Sequence, residues 1–448
     1  MNKGTFYIDT LGCPKNVNDS EAGIVSLLEA GYKRTDDPST ADFLLVNTCA
    51  FIEDAKRESI DHIFSIWKKK KAEARLIVTG CLAQRYAWEL NAELPEAAAF
   101  IGVNEQERWG AILDNLKQGI CHKRVYVDSP VGKQLKSFRR GLEDRPYTST
   151  IKIAEGCNKK CSYCAIPLIR GPYRSKREED ILREAAELAQ AGCRELTLIA
   201  EDTSLYGVDL YGKKTLPDLL RKLCRIDGLV WIRLLYCYDD GVTEELADTI
   251  ASEDKICKYI DMPLQHGSDQ ILRAMNRRST SLSIRRTVAM LRQRVPEIRI
   301  RTTFLVGFPG ETEDDYGKLL DLVDDLRFDR LGVFAYSKEE GTKAASFKGQ
   351  VPNQQKEARL DGIMMRQMAI SREKNKEMIG HTYRVIVDQQ NEDGTYTGRT
   401  QYDAPEIDNA VIFTSRRSLE PGDFAHVLIE DAFDYDIIGS DTGKAGEV

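Results

Sequence analysis

The chain has 448 residues and a mass of 50.7 kDa, enough for about three domains. Hydrophobic residues make up 42% and charged residues 30%, which excludes a wholly disordered chain. A formal charge of −7 argues against a protein that grips nucleic acid by bulk positive charge, and no apolar run approaches the ~20 residues needed to cross a bilayer. The N-terminal stretch MNKGTFYIDTLGC lacks an apolar signal core, so a cytoplasmic chain is expected. Such a chain has little use for disulfides, and its eleven cysteines need another account.

The predicted elements fall into three groups. In residues 1–120, TFYIDTLGC reads as a strand. It is followed by a helix over SEAGIVSLLEAGY, with Asp19 or Ser20 as its N-cap. ADFLLVNTC is a second strand, followed by a helix from about Ala50 to Lys71. RLIVTGC is a third strand, followed by a helix beginning near Ala83, and AAFIGV is a fourth strand. This βαβ rhythm predicts a parallel sheet flanked by helices. Residues 121–147, with Pro130, Gly132, Gly141 and Pro146, read as a connector.

Residues 148–350 repeat the rhythm at greater length. Their strands are TIKIAEG, ELTLIAED, WIRLLYCY, YIDMPLQ, IRIRTTFLVGF and RLGVFAYSK. Six consecutive βα units predict a full or partial barrel, here a partial (βα)6 barrel. A polar helix spans about 353–380. Residues 381–448 then hold short strands separated by turns such as Asp393-Gly394 and Pro421-Gly422, the pattern of a small all-β barrel. The expected fold class is α/β with this all-β module at the end.

The sharpest chemical signal is GCNKKCSYC, which places Cys157, Cys161 and Cys164 in a loop just past a strand. Thiolates suit iron–sulfur clusters and zinc. A structural zinc wants a fourth ligand close by, and the next cysteine is Cys193. Three ligands on a cubane leave one iron open to a substrate or cofactor. Three unligated thiols, or zinc with a remote fourth ligand, are the alternatives.

A second set is dispersed. Cys13, Cys49 and Cys81 each end one of the three strands that open the chain. Strand C-termini of a parallel sheet lie along one edge and their loops converge on a crevice, so these three can meet. Taken singly, each fits a buried small hydrophobe. The other five, Cys121, Cys193, Cys224, Cys237 and Cys257, share no geometry and read as structural.

With these motifs the chain resembles the methylthiotransferases of the radical S-adenosylmethionine superfamily. The matching segments are TLGCPKNVNDSE, NTCAFIEDAKRES, VTGCLAQRY, EGCNKKCSYCAIPLIRG, MPLQHGSDQIL and LVGFPGETEDD, with a C-terminal TRAM domain. TLGCPKN and GRTQYDAPEIDN resemble the branch that modifies a ribosomal protein; tRNA-modifying relatives more often read GCQMN at the first position. Asn409 stands where that branch usually has glycine.

The resemblance implies that Cys157, Cys161 and Cys164 hold a 4Fe-4S cluster whose open iron chelates S-adenosylmethionine and cleaves it to a 5′-deoxyadenosyl radical. It implies that Cys13, Cys49 and Cys81 hold an auxiliary 4Fe-4S cluster that delivers sulfur, and that a second S-adenosylmethionine supplies the methyl group. The substrate implied is small-subunit ribosomal protein uS12, methylthiolated at the β-carbon of an aspartate. A sulfur donor and an electron donor are then needed as partners. Tyr163 is placed for the aromatic that flanks the adenine. Glu201 and Asp202, ending the second barrel strand, offer groups for the ammonium or ribose. Arg233 and Gln265, in or ending later strands, are expected to face the same mouth.

Charge separates the rival readings. Residues 381–448 hold five basic and fourteen acidic residues, a formal −9, which leaves +2 on residues 1–380. An acidic module with Asp403, Glu406 and Asp408 suits recognition of a basic protein rather than tRNA. The rivals are a tRNA adenosine methylthiotransferase of the same family and a non-catalytic metal-binding scaffold on ribosomes.

Overall fold

The computed structural model describes residues 3–120, 123–131, 135 and 146–443. Cys121 and more than half of the expected connector 121–147 lie outside the described residues. The chain divides into two compact units. The first comprises residues 1–143, 154–180 and 337–345, and the second comprises 144–153, 181–336 and 346–448. Among the described residues, no helix is long and apolar enough to cross a membrane.

The first unit is built on a six-stranded parallel sheet. Its order is Lys33–Arg34, Thr5–Thr10, Phe43–Thr48, Arg75–Gly80, Ala97–Ile101 and Val125–Tyr126. The apolar runs FLLVNT and RLIVTG are buried on both faces, as central parallel strands must be. Successive side chains alternate between two cores. Leu44, Val46, Leu76 and Val78 pack with Ile63 and Ile66 of helix Glu53–Lys69. Phe43, Leu45 and Ile77 pack with Ile24 and Leu27 of helix Pro14–Glu29.

The helices after strands Thr5–Thr10 and Phe43–Thr48 therefore cover opposite faces. Their loops part at the strand C-termini, the position where open α/β sheets form a crevice. Two details differ from expectation. Helix Pro14–Glu29 begins well before Asp19 and Ser20, because Pro14 is pre-set for the first turn and Cys13 is itself the N-cap residue. The two-residue edge strands Lys33–Arg34 and Val125–Tyr126 are too short to leave a periodic signal.

The second unit contains all six expected barrel strands. They form two three-stranded parallel sheets, Thr148–Lys152, Glu195–Ile199 and Trp231–Leu234, then Tyr259–Gln265, Arg299–Val306 and Arg330–Ala335. Backbone bonds from Cys237 N–H to Asp261 O (2.8 Å) and from Cys257 N–H to Ile232 O (2.9 Å) join the two sheets. Strand order follows chain order, as in a barrel wall rather than a doubly wound sheet. The C-terminal module is a closed five-stranded barrel of Thr382–Gln390, Tyr396–Thr400, Val411–Thr414, Ile437–Asp441 and Phe424–Ala432.

This module docks on the N-terminal ends of the wall strands. Glu195, Trp231, Tyr259 and Arg330 each open a strand. Glu195 pairs with Arg399 (2.8 Å) and Arg233 (2.9 Å). Trp231 packs edge-on against Phe424 at 5.0 Å. The Tyr259 hydroxyl donates to Asp408 (2.7 Å), and Arg330 binds Asp403 (2.6 Å). Helix Asn353–Lys376 is more than a linker. Its Lys374 pairs with Asp329 of the wall, and Ser371 and Asn375 donate to the Asp434 and Phe433 carbonyls of the module.

Candidate metal centres

Cys13, Cys49 and Cys81 follow three neighbouring strands of the first sheet. Cys13 caps helix Pro14–Glu29, and Cys81 is the first residue of helix Cys81–Glu93. Helix N-termini favour negative charge, which suits a thiolate. The three thiols meet electrostatically. Burial pushes the Cys49 thiol up, and Cys13 adds to that rise. Burial pushes Cys81 up to about 12, with Cys13 and Cys49 adding and the Arg170 guanidinium opposing. Such thiols keep their protons until a metal displaces them.

The turns that carry these cysteines are locked by polar residues that sequence reasoning did not single out. Asn16, fully buried, donates to Leu11 O (2.8 Å) and Thr48 O (3.1 Å). Its Oδ1 accepts from Cys81 Sγ at 3.6 Å. Asn47 donates to Asn16 O and to Ser20 Oγ, both at 2.8 Å. Ser59 exchanges hydrogen bonds with the Cys49 backbone N–H and C=O. One side chain, Asn16, thus ties together the turns of all three cysteines.

Gly12 and Gly80, directly before Cys13 and Cys81, both have φ +91°. A Cβ at Gly80 would lie 2.2 Å from Asn47 Oδ1 and 2.6 Å from Thr48 O. Gly80→Ala is therefore expected to destabilise the protein, with roughly 1–3 kcal/mol from the backbone conformation alone. Thermal unfolding and bound iron after anaerobic reconstitution check this; an unchanged midpoint and full iron loading would contradict it.

The second cysteine set lies in the same compact unit. Its loop is closed at the base by strands Ala154–Glu155 and Arg174–Ser175, which pair antiparallel. Cys157 N–H donates to Gly171 O (3.0 Å), Cys164 N–H to Cys161 O (3.2 Å), and Ala344 N–H to Ser162 O (2.8 Å). Cys157 and Cys161 are buried, while Tyr163 and Cys164 are half-buried. Among the described residues, no three His, Cys, Asp or Glu side chains are drawn into a closed metal-ligating group. What fits an iron–sulfur cluster is the donor set: three thiols on one short loop, and three on one sheet edge.

Arg170, at the end of helix Ile166–Arg170, links the two sets. It is 1% exposed. Its Nη1 donates to Asp19 (2.8 Å) and Glu155 (2.5 Å), and its Nη2 donates to Asn16 Oδ1 (2.9 Å) and Cys81 Sγ (3.7 Å). Arg170 and Asn16 fall inside matched motifs, but nothing in their spacing reveals that they meet 154 positions apart.

The other described cysteines stand apart. Cys193 and Cys237 bond Glu195 O and Thr203. Burial pushes Cys224 and Cys237 up to about 12 and Cys257 up to about 11, which leaves these thiols protonated.

The residues expected to contact a cofactor divide. Glu201 follows strand Glu195–Ile199 and is half-buried. Asp202, fully buried, accepts from Ser204. Gln265 ends its strand with φ +75°, and Tyr236, just past the neighbouring strand, has φ +61°. Non-glycine residues held at positive φ at strand ends mark sites where structure overrides local preference. Arg233 is a correction. Its guanidinium is fully buried against Glu195 and Tyr259 and donates to Gln401 O (2.9 Å), which holds it to the C-terminal module and away from the strand C-termini.

The acidic module also needs revision. Asp403 is fully buried between Arg330 and Thr400. The Asp408 side chain is 1% exposed and lies against Tyr259 and Arg301; burial raises its carboxyl despite the Arg301 and Arg330 guanidinium groups. Glu406 alone of the three is exposed. Asp388 and Asp441 pair with Arg399 and Arg417, and Asp434 pairs with Arg372. The −9 count therefore overstates the field at the surface, because Arg301, Arg330 and Arg372 from outside the module offset part of it.

Comparison with known proteins follows the same three divisions. The family model "Uncharacterized protein family UPF0004" matches residues 5–102, "Radical SAM superfamily" matches 151–323, and "TRAM domain" matches 379–440. A protein of Pelotomaculum thermopropionicum named ribosomal protein uS12 methylthiotransferase RimO is 47% identical over 96% of this chain and 97% of its own length. One of the same name from Clostridioides difficile is 46% identical over the same shares. Among solved structures, the radical S-adenosylmethionine methyltransferase TsrM from Kitasatospora setae, with cobalamin and a [4Fe-4S] cluster bound, aligns at TM-score 0.55. It is 16% identical over 74% of each chain, a likeness of fold alone.

Proposed function

Since the chain belongs to the RimO family of ribosomal protein uS12 methylthiotransferases, we propose that it is a radical S-adenosylmethionine enzyme that methylthiolates the β-carbon of an aspartate of uS12. It is a transferase using [4Fe-4S] clusters and S-adenosylmethionine. Cys157, Cys161 and Cys164 hold one cluster, and Cys13, Cys49 and Cys81 hold the other. Bound there, the two clusters and two molecules of S-adenosylmethionine supply one-electron reduction, hydrogen abstraction, sulfur and a methyl group.

The chain's own residues supply placement. The 157–164 loop is pinned by the Cys157–Gly171 and Ala344–Ser162 backbone bonds, and its three thiols would hold the cluster that binds the cofactor. Tyr163 flanks the adenine in this reading. Asn16, Asn47 and Ser59 fix the turns that carry the three auxiliary thiols, whose partial burial limits access of water to sulfur. A reductant and a sulfur donor of the cytoplasm complete the reaction.

One observation carries the reading: two separate sets of three cysteines lie in one compact unit, each at strand C-termini or in the loop that follows a strand. The test offers the reconstituted protein a peptide from the uS12 aspartate loop and, in parallel, tRNA. A gain of one methylthio group on the peptide aspartate is the expected result. Gain on tRNA alone would sink the assignment.

A further inference from the structure

Arg170 bonds residues beside two of the three dispersed cysteines and beside the 157–164 loop. Asn16 and Asp19 belong to the helix capped by Cys13, Cys81 is contacted directly, Glu155 lies two residues before Cys157, and Arg170 itself follows Cys164 by six residues. All five side chains are buried. Burying an ion among two carboxylates and a thiol is costly unless every partner is satisfied, so such a network marks a site where placement matters more than stability.

We propose that Arg170 is a positioning residue of the auxiliary site: its guanidinium fixes the Cys81 sulfur by an N–H···S bond and raises the reduction potential of the cluster held there. This rests on the ligand assignment proposed above. A donor N–H and a positive charge beside a ligating sulfur favour the reduced, more negative cluster. Around Arg170 stand Asp19 and Glu155, with Arg174 Nη2 3.4 Å from Glu155 as the second cation. Removing the Arg170 guanidinium takes a positive charge and an N–H donor away from the Cys81 sulfur, so the shift is downward.

The experiment uses the full chain carrying Cys157→Ala, Cys161→Ala and Cys164→Ala, reconstituted anaerobically so that one cluster remains. Its midpoint potential is read by redox titration with electron paramagnetic resonance, at measured iron per chain. Adding Arg170→Met is expected to move the midpoint to more negative potential. Arg170→Lys, which keeps the charge but not the planar fork, is expected to fall between. If Arg170→Met loses iron while Arg170→Lys holds it at a lowered potential, the proposal stands. Midpoints equal to the parent in iron-loaded Arg170→Lys and Arg170→Met overturn it. A parent that binds no cluster on Cys13, Cys49 and Cys81 instead overturns the ligand assignment, and the proposal with it.

Discussion

Replacing Cys161 by alanine is expected to reduce formation of 5′-deoxyadenosine from S-adenosylmethionine to background while the protein stays folded. Cys161 is the middle cysteine of a loop whose backbone is held by bonds that do not involve its side chain: Cys157 to Gly171, Cys164 to Cys161 O, and Ala344 to Ser162. Its side chain is 8% exposed and small, so truncation costs little packing. Chemically, two thiols cannot retain a site-differentiated cluster, and bound iron should fall by about four per chain. The complementary change, Cys81→Ala, should also remove about four irons but leave cofactor cleavage in place and abolish methylthiolation. Iron assay, chromatography of 5′-deoxyadenosine and mass spectrometry of the peptide separate the two. If Cys161→Ala still cleaves the cofactor at the parent rate, Cys157, Cys161 and Cys164 are not the cleaving site.

The largest expected effect on stability belongs to Asp403. Its Oδ1 accepts from Arg330 Nε (3.0 Å) and Nη2 (2.6 Å), and its Oδ2 from Thr400 Oγ1 (2.6 Å), with no exposure to solvent. Asp403→Ala leaves Arg330 buried without its bidentate partner at the junction of barrel wall and C-terminal module. Breaking a buried pair from one side costs about 3–5 kcal/mol. A lowered unfolding midpoint in denaturant is the expected outcome. Asp403→Asn, which keeps acceptor and shape but not charge, should lie between. If Asp403→Ala unfolds with the parent, the carboxylate is not part of the junction. The exposed Glu406 serves as the control: Glu406→Ala should leave stability unchanged within about 0.5 kcal/mol.

These expectations divide the acidic stretch GRTQYDAPEIDN differently from its sequence. Read as charge, it is a surface for a basic partner. In three dimensions Arg399, Asp403 and Asp408 face the opening residues of barrel strands and Gln401 O accepts from Arg233, and the stretch fastens one barrel onto another. Of the three acids read there as a recognition surface, Glu406 alone stays exposed.

The amino-acid sequence by itself determined the three divisions, the parallel sheet, six wall strands, the small closed barrel and both cysteine sets. Each of these is written in local pattern: apolar runs of strand length, helical periodicity between them, and cysteines at repeated stations or close spacing. Tertiary structure alone decided what surrounds the cysteines and where charge resides. The cap at Cys13 moved because proline pre-sets a helical turn that hydrophobic periodicity does not record. Arg233, Asp403 and Asp408 are polar residues whose fate depends on partners 38, 73 and 149 positions away. Asn16 and Cys81 can share one partner, Arg170, because parallel strands bring their C-terminal ends to one edge whatever the chain length between them. A charged side chain's solvation and pairing belong to the folded surface, and no window of neighbouring residues contains that information.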